Sequence, residues 1–259
     1  MSNIVEVKDV YWKREEKVIL KDVNWTISKG EHWAILGLNG SGKTTLLNMI
    51  TGYIWPTGGQ ISVLGERYGT VDLREMRRRI GWVSSSFQER IHPNEQTQHL
   101  VISGLHASIG LFEKPTDEHI QKAVHLMETL GCGHLVDRQY QTCSQGEKQK
   151  LLIARALMAS PELLILDEAC NGLDLLSRES LLQSIANLMK EKEAPTLLYV
   201  THHVEEILPE FTHSLLLRKG TVFASGRTTE VLTSERLTAL FETPVQVTWK
   251  NERAWLSLT

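Results

Sequence analysis

The stretch GLNGSGKT, Gly37 to Thr44, concentrates more phosphate chemistry than any other in the chain. It fits the pattern G-x-x-x-x-G-K-[ST] at every fixed position. Small residues at Gly37, Gly40, Ser41 and Gly42, with Asn39 between them, let successive backbone amides turn inward around phosphate oxygens. Lys43 brings a point charge to the terminal phosphates. Thr44, followed by Thr45, offers a hydroxyl to a magnesium ion riding on those phosphates.

Two other stretches carry reactive types. LLILDE puts Asp167 and Glu168 at the carboxyl end of a buried apolar run, where a phosphate-loop protein needs a magnesium-linked carboxylate and a base for attacking water. TCSQGEKQK places Ser144 three residues before Glu147, the spacing of a capping box, and LLIARALMA continues it as a helix. A helix start is an anion site because its first amides point outward, yet this one lies far along the chain from the phosphate loop.

These residues need elements to hold them. HWAILG reads as a short buried strand running into the glycine turn, and KTTLLNMITG as a helix ending at Gly52. Alternation in IVEVKDVYW and VNWTIS predicts an antiparallel β region over roughly the first 30 residues. Further buried strands are predicted at IGWVS, LLILD, LLYVT, SLLLR and TVFASG, mostly alternating with helical segments. That alternation predicts an α/β fold with a mainly parallel sheet, whose ligand crevice lies beyond the carboxyl ends of the strands. Residues 88–160 break the pattern and read as an inserted helical subdomain, with DEHIQKAVHLMETLG amphipathic. The expected division is therefore a core of 1–87 and 161–225, a helical subdomain of 88–160 carrying Ser144, and a short C-terminal tail of 226–259, all within one domain spanning 1–259.

Composition narrows the function classes. A chain of 259 residues with 41% hydrophobic content can bury a real core. With 28 Lys plus Arg against 31 Asp plus Glu there is no electrostatic case for nucleic acid, and RRR at 77–79 is expected to be a solvated face. Three cysteines, Cys132, Cys143 and Cys170, form no CxxC pair and are expected to be reduced and structural. The start MSNIVEVKDVYW has neither the basic flank nor the apolar stretch of a signal peptide, and no run approaches the roughly 18 apolar residues of a membrane span. The expectation is a soluble, cytoplasmic chain.

Taken in order, GLNGSGKT, SQGE, LLILDE, NGLD at 171–174 and VTHH at 200–203 resemble the ATPase module of an ABC transporter over nearly the whole chain. The resemblance implies a P-loop NTPase of the ABC ATPase type that binds ATP with Mg2+. It implies that Glu168 is the catalytic base, that Asp167 helps hold magnesium, and that His202 steadies the γ-phosphate and the attacking water. Modules of this type pair head to tail. The residues matching Ser144 and Gly146 complete the partner's ATP site in such a homodimer, and the Asp174 loop faces the partner.

The chain departs from the family pattern in several places. LSGGQ reads CSQGE. The family's magnesium-linked glutamine is expected near Ser85, but the first glutamine is Gln88, so either the loop is longer and Gln88 serves or that ligand is missing. The aromatic residue that stacks on adenine aligns with Arg14, and Trp12, two residues earlier on the same strand face, is the other candidate. The proline that often follows the catalytic glutamate is Ala169. The resemblance implies a subunit that drives a separate membrane permease from the cytoplasmic face, similar to bacterial importers of metal chelates, siderophores or oxyanions. Two alternatives stay open: a soluble ABC ATPase acting on an assembly such as an iron-sulfur scaffold, and a regulatory binder that turns ATP over poorly.

Overall fold

A computed structural model describes residues 3–88, 90–106, 110–111 and 114–259. Packing divides the chain into two compact units, one made of residues up to 77 together with 196–259, the other of 78–195.

The first unit begins with β1 (Asn3–Arg14) and β2 (Lys17–Ser28), an antiparallel pair that carries the expected alternation. Leu20, Val23, Trp25 and Ile27 point into the core while Lys21, Asn24 and Thr26 face out. Next come β3 (Trp33–Leu36), four residues all buried, and α1 (Lys43–Ile50), which ends where Gly52 takes a left-handed φ of 71°. Two strands that the alternation did not predict, β4 (Gly58–Val63) and β5 (Glu66–Arg67), extend the antiparallel sheet in the order β2-β1-β4-β5. The helix α2 (Leu73–Arg78) closes this stretch. Arg77 within it is no solvated charge. Its guanidinium donates to the carbonyls of Thr51 and Gly52 and lies over the Tyr53 ring, bracing the end of α1.

The second unit contains a parallel pair, β6 (Ile80–Val83) and β7 (Leu163–Asp167), paired from Ile80 with Leu163 to Val83 with Leu166. Between them run α3 (Ser85–Gln88), α4 (Thr97–Ile102), α5 (Asp117–Thr129) and α6 (Gln145–Leu157), and after them α7 (Leu175–Met189). Leu100, Val101, Ala123, Met127, Leu151 and Ile153 form its apolar interior. Packing groups β6 and β7 with these helices. Arg79 makes a 2.7 Å ion pair with Glu162 at the surface, both side chains exposed, so of Arg77 and Arg79 only Arg77 departs from the expected solvated face. The three cysteines are buried and form no disulfide, and burial pushes the Cys132 thiol up to about 12, which suits a packing residue.

The chain returns to the first unit with β8 (Thr196–Thr201) and β9 (His213–Arg218), both parallel to β3, and β10 (Thr221–Arg227) antiparallel to β9. The C-terminal tail folds into α8 (Thr228–Val231), α9 (Ser234–Phe241) and a hairpin of β11 (Val245–Lys250) and β12 (Arg253–Leu258). Its two-residue turn, Asn251 and Glu252, has φ of 51° and 59°, the positive pair that tight hairpins use. Among the described residues no helix is long and apolar enough to cross a membrane.

Candidate functional site

The phosphate loop is built where β3 delivers the chain to α1. Gly42, the residue before the helix, has φ of 107°, and a Cβ there would lie 2.6 Å from Leu20 Cδ2, so only glycine lets the loop close onto β2. Among the described residues the N-cap position gives the helix start no side-chain cap and its first turn holds no acid, which leaves outward-pointing donors and the positive end of the helix dipole together. Lys43 is buried, and its Nζ donates to the carbonyls of Gly37 at 2.6 Å and Leu38 at 3.3 Å. The ammonium is thus curled into the loop that a phosphate would fill. Asn39, Gly40 and Thr44 are exposed on that loop, Thr45 is half-buried, and Ser41 is buried beneath.

The loop is held from below by a distant turn. Gly220, between β9 and β10, donates its amide to the Ser41 carbonyl at 2.9 Å and accepts from the Lys21 amide at 2.8 Å. A Cβ on Gly220 would lie 2.2 Å from the Ile19 carbonyl. No pattern in the sequence marks this contact.

Strand register brings His202 to the same edge. Leu36 pairs with Thr201 in the parallel ladder of β3 and β8, so Gly37 and His202 are each the next residue after neighbouring strand ends. On the other side of the loop, Trp12 pairs with Leu20, whose side chain packs against Gly42. Arg14 pairs with Lys17 at the exposed tip of the hairpin, and a register shift falls between Trp12 and Lys13.

In the second unit, Asp167 is the last residue of β7 and Glu168 follows with φ of 52°. That left-handed backbone is strained for a glutamate and re-aims the chain immediately after the strand. Ala169 and Cys170 behind it are buried. Asp174 then caps α7, accepting from the Ser177 amide at 3.0 Å and hydroxyl at 2.7 Å, and the Ser177 amide bond leads the causes that hold its carboxyl below the usual range.

Ser144 begins α6 with a complete capping box. Its hydroxyl accepts from the Glu147 amide at 3.3 Å, and Glu147 accepts from the Ser144 amide at 2.7 Å and meets His134 at 3.0 Å. Burial alone would raise the Glu147 carboxyl, but the Ser144 amide and His134 pull it below its ordinary value. Gly146 is where α6 approaches α7: a Cβ there would lie 3.2 Å from Ser177 Cβ. Ser144, Gly146 and Asp174 are therefore gathered at one end of two packed helices, beside Leu175 and Leu176, which are 61% and 79% exposed. Gln88 belongs to the same neighbourhood, donating to Gln145 at 2.7 Å. Sequence reasoning gave no part to Gln145, although it stands where LSGGQ has its first glycine and so announces a side chain where the family has none.

A buried lysine in a glycine loop and an acid pair at a strand end mark a phosphate-loop protein, and comparison with known proteins decides the family. The chain belongs to the ABC transporter family. The profile described as ABC transporter matches residues 20–171. The chain is 49% identical over 255 residues to an uncharacterized ABC transporter ATP-binding protein of Bacillus subtilis, covering 98% of this chain and 97% of the relative. It is 30% identical to the molybdate import ATP-binding protein MolC of Haemophilus influenzae, covering 95% and 90%. Among solved structures, a putative metal-chelate type ABC transporter in an inward-facing conformation has a TM-score of 0.79 at 29% identity, over 98% of this chain and 96% of that one. The chain is thus an ABC ATPase with the mixed α/β fold of that family, and cassettes of the family form dimers and serve membrane permeases.

Thr44 in the first unit, and Asp167 and Gln88 in the second, each carry a hard oxygen, the donor type that magnesium takes.

Proposed function

We propose that the chain is the ATP-hydrolysing subunit of a bacterial importer for a metal chelate, siderophore or oxyanion, working as a head-to-tail pair beneath a separate permease at the cytoplasmic face of the membrane. The observation that carries ATP use is the uncapped, acid-free start of α1 with Lys43 curled into it. The triphosphate replaces the carbonyl partners of Lys43, and the loop amides from Gly37 to Thr45 receive its oxygens. Thr44 and Asp167, with Gln88 as the third candidate, would hold a magnesium ion, which would supply positive charge to the phosphates. Glu168 takes the proton of the attacking water, and His202 donates to the γ-phosphate. Trp12 is the better-placed adenine platform, since the ladder links it through Leu20 to Gly42, while Arg14 stands at the hairpin tip.

Pairing is supported by the end of the second unit where Ser144, Gly146 and Asp174 gather. Two adjacent exposed leucines there suit burial against a second copy. In the pair, the Ser144 hydroxyl, which accepts from the Glu147 amide and also bonds the Glu147 carboxylate, would turn its O–H to the partner's γ-phosphate. Import is supported by MolC, named for molybdate import, and by the metal-chelate type transporter, each matched over at least nine-tenths of its length.

Tagged chain purified from detergent-solubilised membranes tests the permease. The expected result is a stoichiometric multispanning partner whose reconstitution stimulates ATP hydrolysis. Recovery instead with a soluble iron-sulfur scaffold would transfer the chain to that alternative role.

A further inference from the structure

We infer that Glu206 is the positioning residue for His202, acting through the Thr201 hydroxyl. The inference rests on the assignment of His202 to the γ-phosphate. After β8 the chain bends at His202 and His203 into a short 3-10 turn, Val204–Glu206. Glu206 is only 3% exposed. Its Oε2 accepts from the Tyr199 hydroxyl at 2.9 Å and from the Thr201 hydroxyl at 2.6 Å, and Tyr199 and Thr201 are themselves buried. The same Thr201 oxygen accepts from the His203 amide at 3.0 Å.

These bonds close a ring around His202. Thr201 precedes it, the His203 amide follows it, and Glu206 joins both through one hydroxyl, which donates on one side and accepts on the other. Burying a carboxylate is costly unless it is hydrogen-bonded. Two hydroxyl donors on one carboxylate oxygen make short, charge-assisted bonds whose geometry is narrow. A carboxylate kept here at that cost, in a turn that an apolar residue could fill, specifies the path of the chain between Thr201 and Glu206.

Two further contacts restrict the same segment. The His202 and His203 rings lie 4.1 Å apart and tilted by 41°, and His203 Nδ1 is 3.4 Å from Glu205 Oε1. Arg253, on β12, donates its Nε to the Glu205 carbonyl, so the C-terminal hairpin holds the turn from outside. Because Thr201 is in register with Leu36, a shift of this turn moves His202 relative to the start of the phosphate loop. Misplacement of a catalytic group by about 1 Å can cost on the order of a hundredfold in rate.

The test compares Thr201→Val, Thr201→Ser and Glu206→Ala with His202→Ala. Thr201→Val keeps the shape and removes the hydroxyl. It and Glu206→Ala are expected to lower kcat about tenfold or more with KM for ATP within about twofold, while Thr201→Ser restores kcat. Without nucleotide, ring-15N-labelled histidine should give one sharp set of His202 signals in the parent and Thr201→Ser proteins, but broadened or doubled signals in Thr201→Val and Glu206→Ala. In the His202→Ala background, Glu206→Ala should cost nothing more, since residues acting as a unit are not additive. Additive loss would mean that Glu206 acts elsewhere and would overturn the inference. Parent-like hydrolysis by His202→Ala would overturn the His202 assignment and the inference with it. Unchanged His202 signals in Thr201→Val would overturn the positioning role alone.

Discussion

The two helix starts that the proposed function assigns to the nucleotide are built in opposite ways. At α1 the residue before the helix is a left-handed glycine, no side chain caps the amides, and no acid occupies the first turn. At α6 the same place is taken by Ser144, the Glu147 amide is already satisfied, and a carboxylate sits in the first turn. An open start gathers an anion by charge and by several donors at once. A closed start has used its amide and carries a negative group, so what it offers a phosphate is one oriented hydroxyl. On the proposed reading, affinity for ATP belongs to α1, and α6 offers its hydroxyl to a phosphate held elsewhere, as a head-to-tail pair would require.

The comparison breaks most sharply at Lys43. Lys43→Ala should reduce ATP binding below detection in a direct binding assay, because the phosphates lose the cation that the open start brings to them. Retained affinity would mean that the amides alone suffice. Glu168→Gln should leave binding intact and lower turnover by about a hundred to ten thousand fold, the usual worth of a general base, while trapping an ATP-bound dimer.

Ser144→Arg sharpens the contrast between the helices. The variant should bind ATP as the parent does and fail to form a hydrolytic homodimer, since its own loop is untouched and its α6 start is blocked. Mixed with Lys43→Ala, it should recover ATP-dependent association, because the heterodimer unites one intact cradle with one intact α6 start. A mixture of folded variants that neither associates nor hydrolyses would reduce Ser144 to a cap. The smallest effect is expected from Glu147→Ala, at about 1 kcal/mol of stability, the usual worth of such a cap. The Glu147 carboxyl is held below its ordinary value in the fold, so its contribution is present above the ordinary carboxylate range and fades as pH falls through the folded value. Melting curves of parent and variant should converge in acid.

What the sequence made legible follows from the range of the interactions. The phosphate loop, the Ser144 cap and the acids after β7 are each specified by residues a few positions apart, so spacing alone exposes them. The C-terminal hairpin pairs VQVTWK with RAWLSL around Asn251 and Glu252, a local signal that the expectation of a short tail left unused. By contrast, β4 joins the antiparallel sheet through pairing with β1, the contact between Gly220 and Ser41 spans most of the chain, and Glu206 meets Tyr199 and Thr201 only after β8 turns. None of these leaves a periodic trace. RRR misled for the same reason, because the carbonyls that Arg77 braces lie at the far end of α1.

The turn at Gly220 gives the phosphate loop a second genetic address. Its amide and carbonyl join Ser41 to Lys21, with no space for a side chain against Ile19. Lesions mapping there would be scored as nucleotide-binding alleles although they fall outside every recognisable motif. Their suppressors would be sought along β2, where the opposing backbone lies, and not among the residues that touch the phosphates.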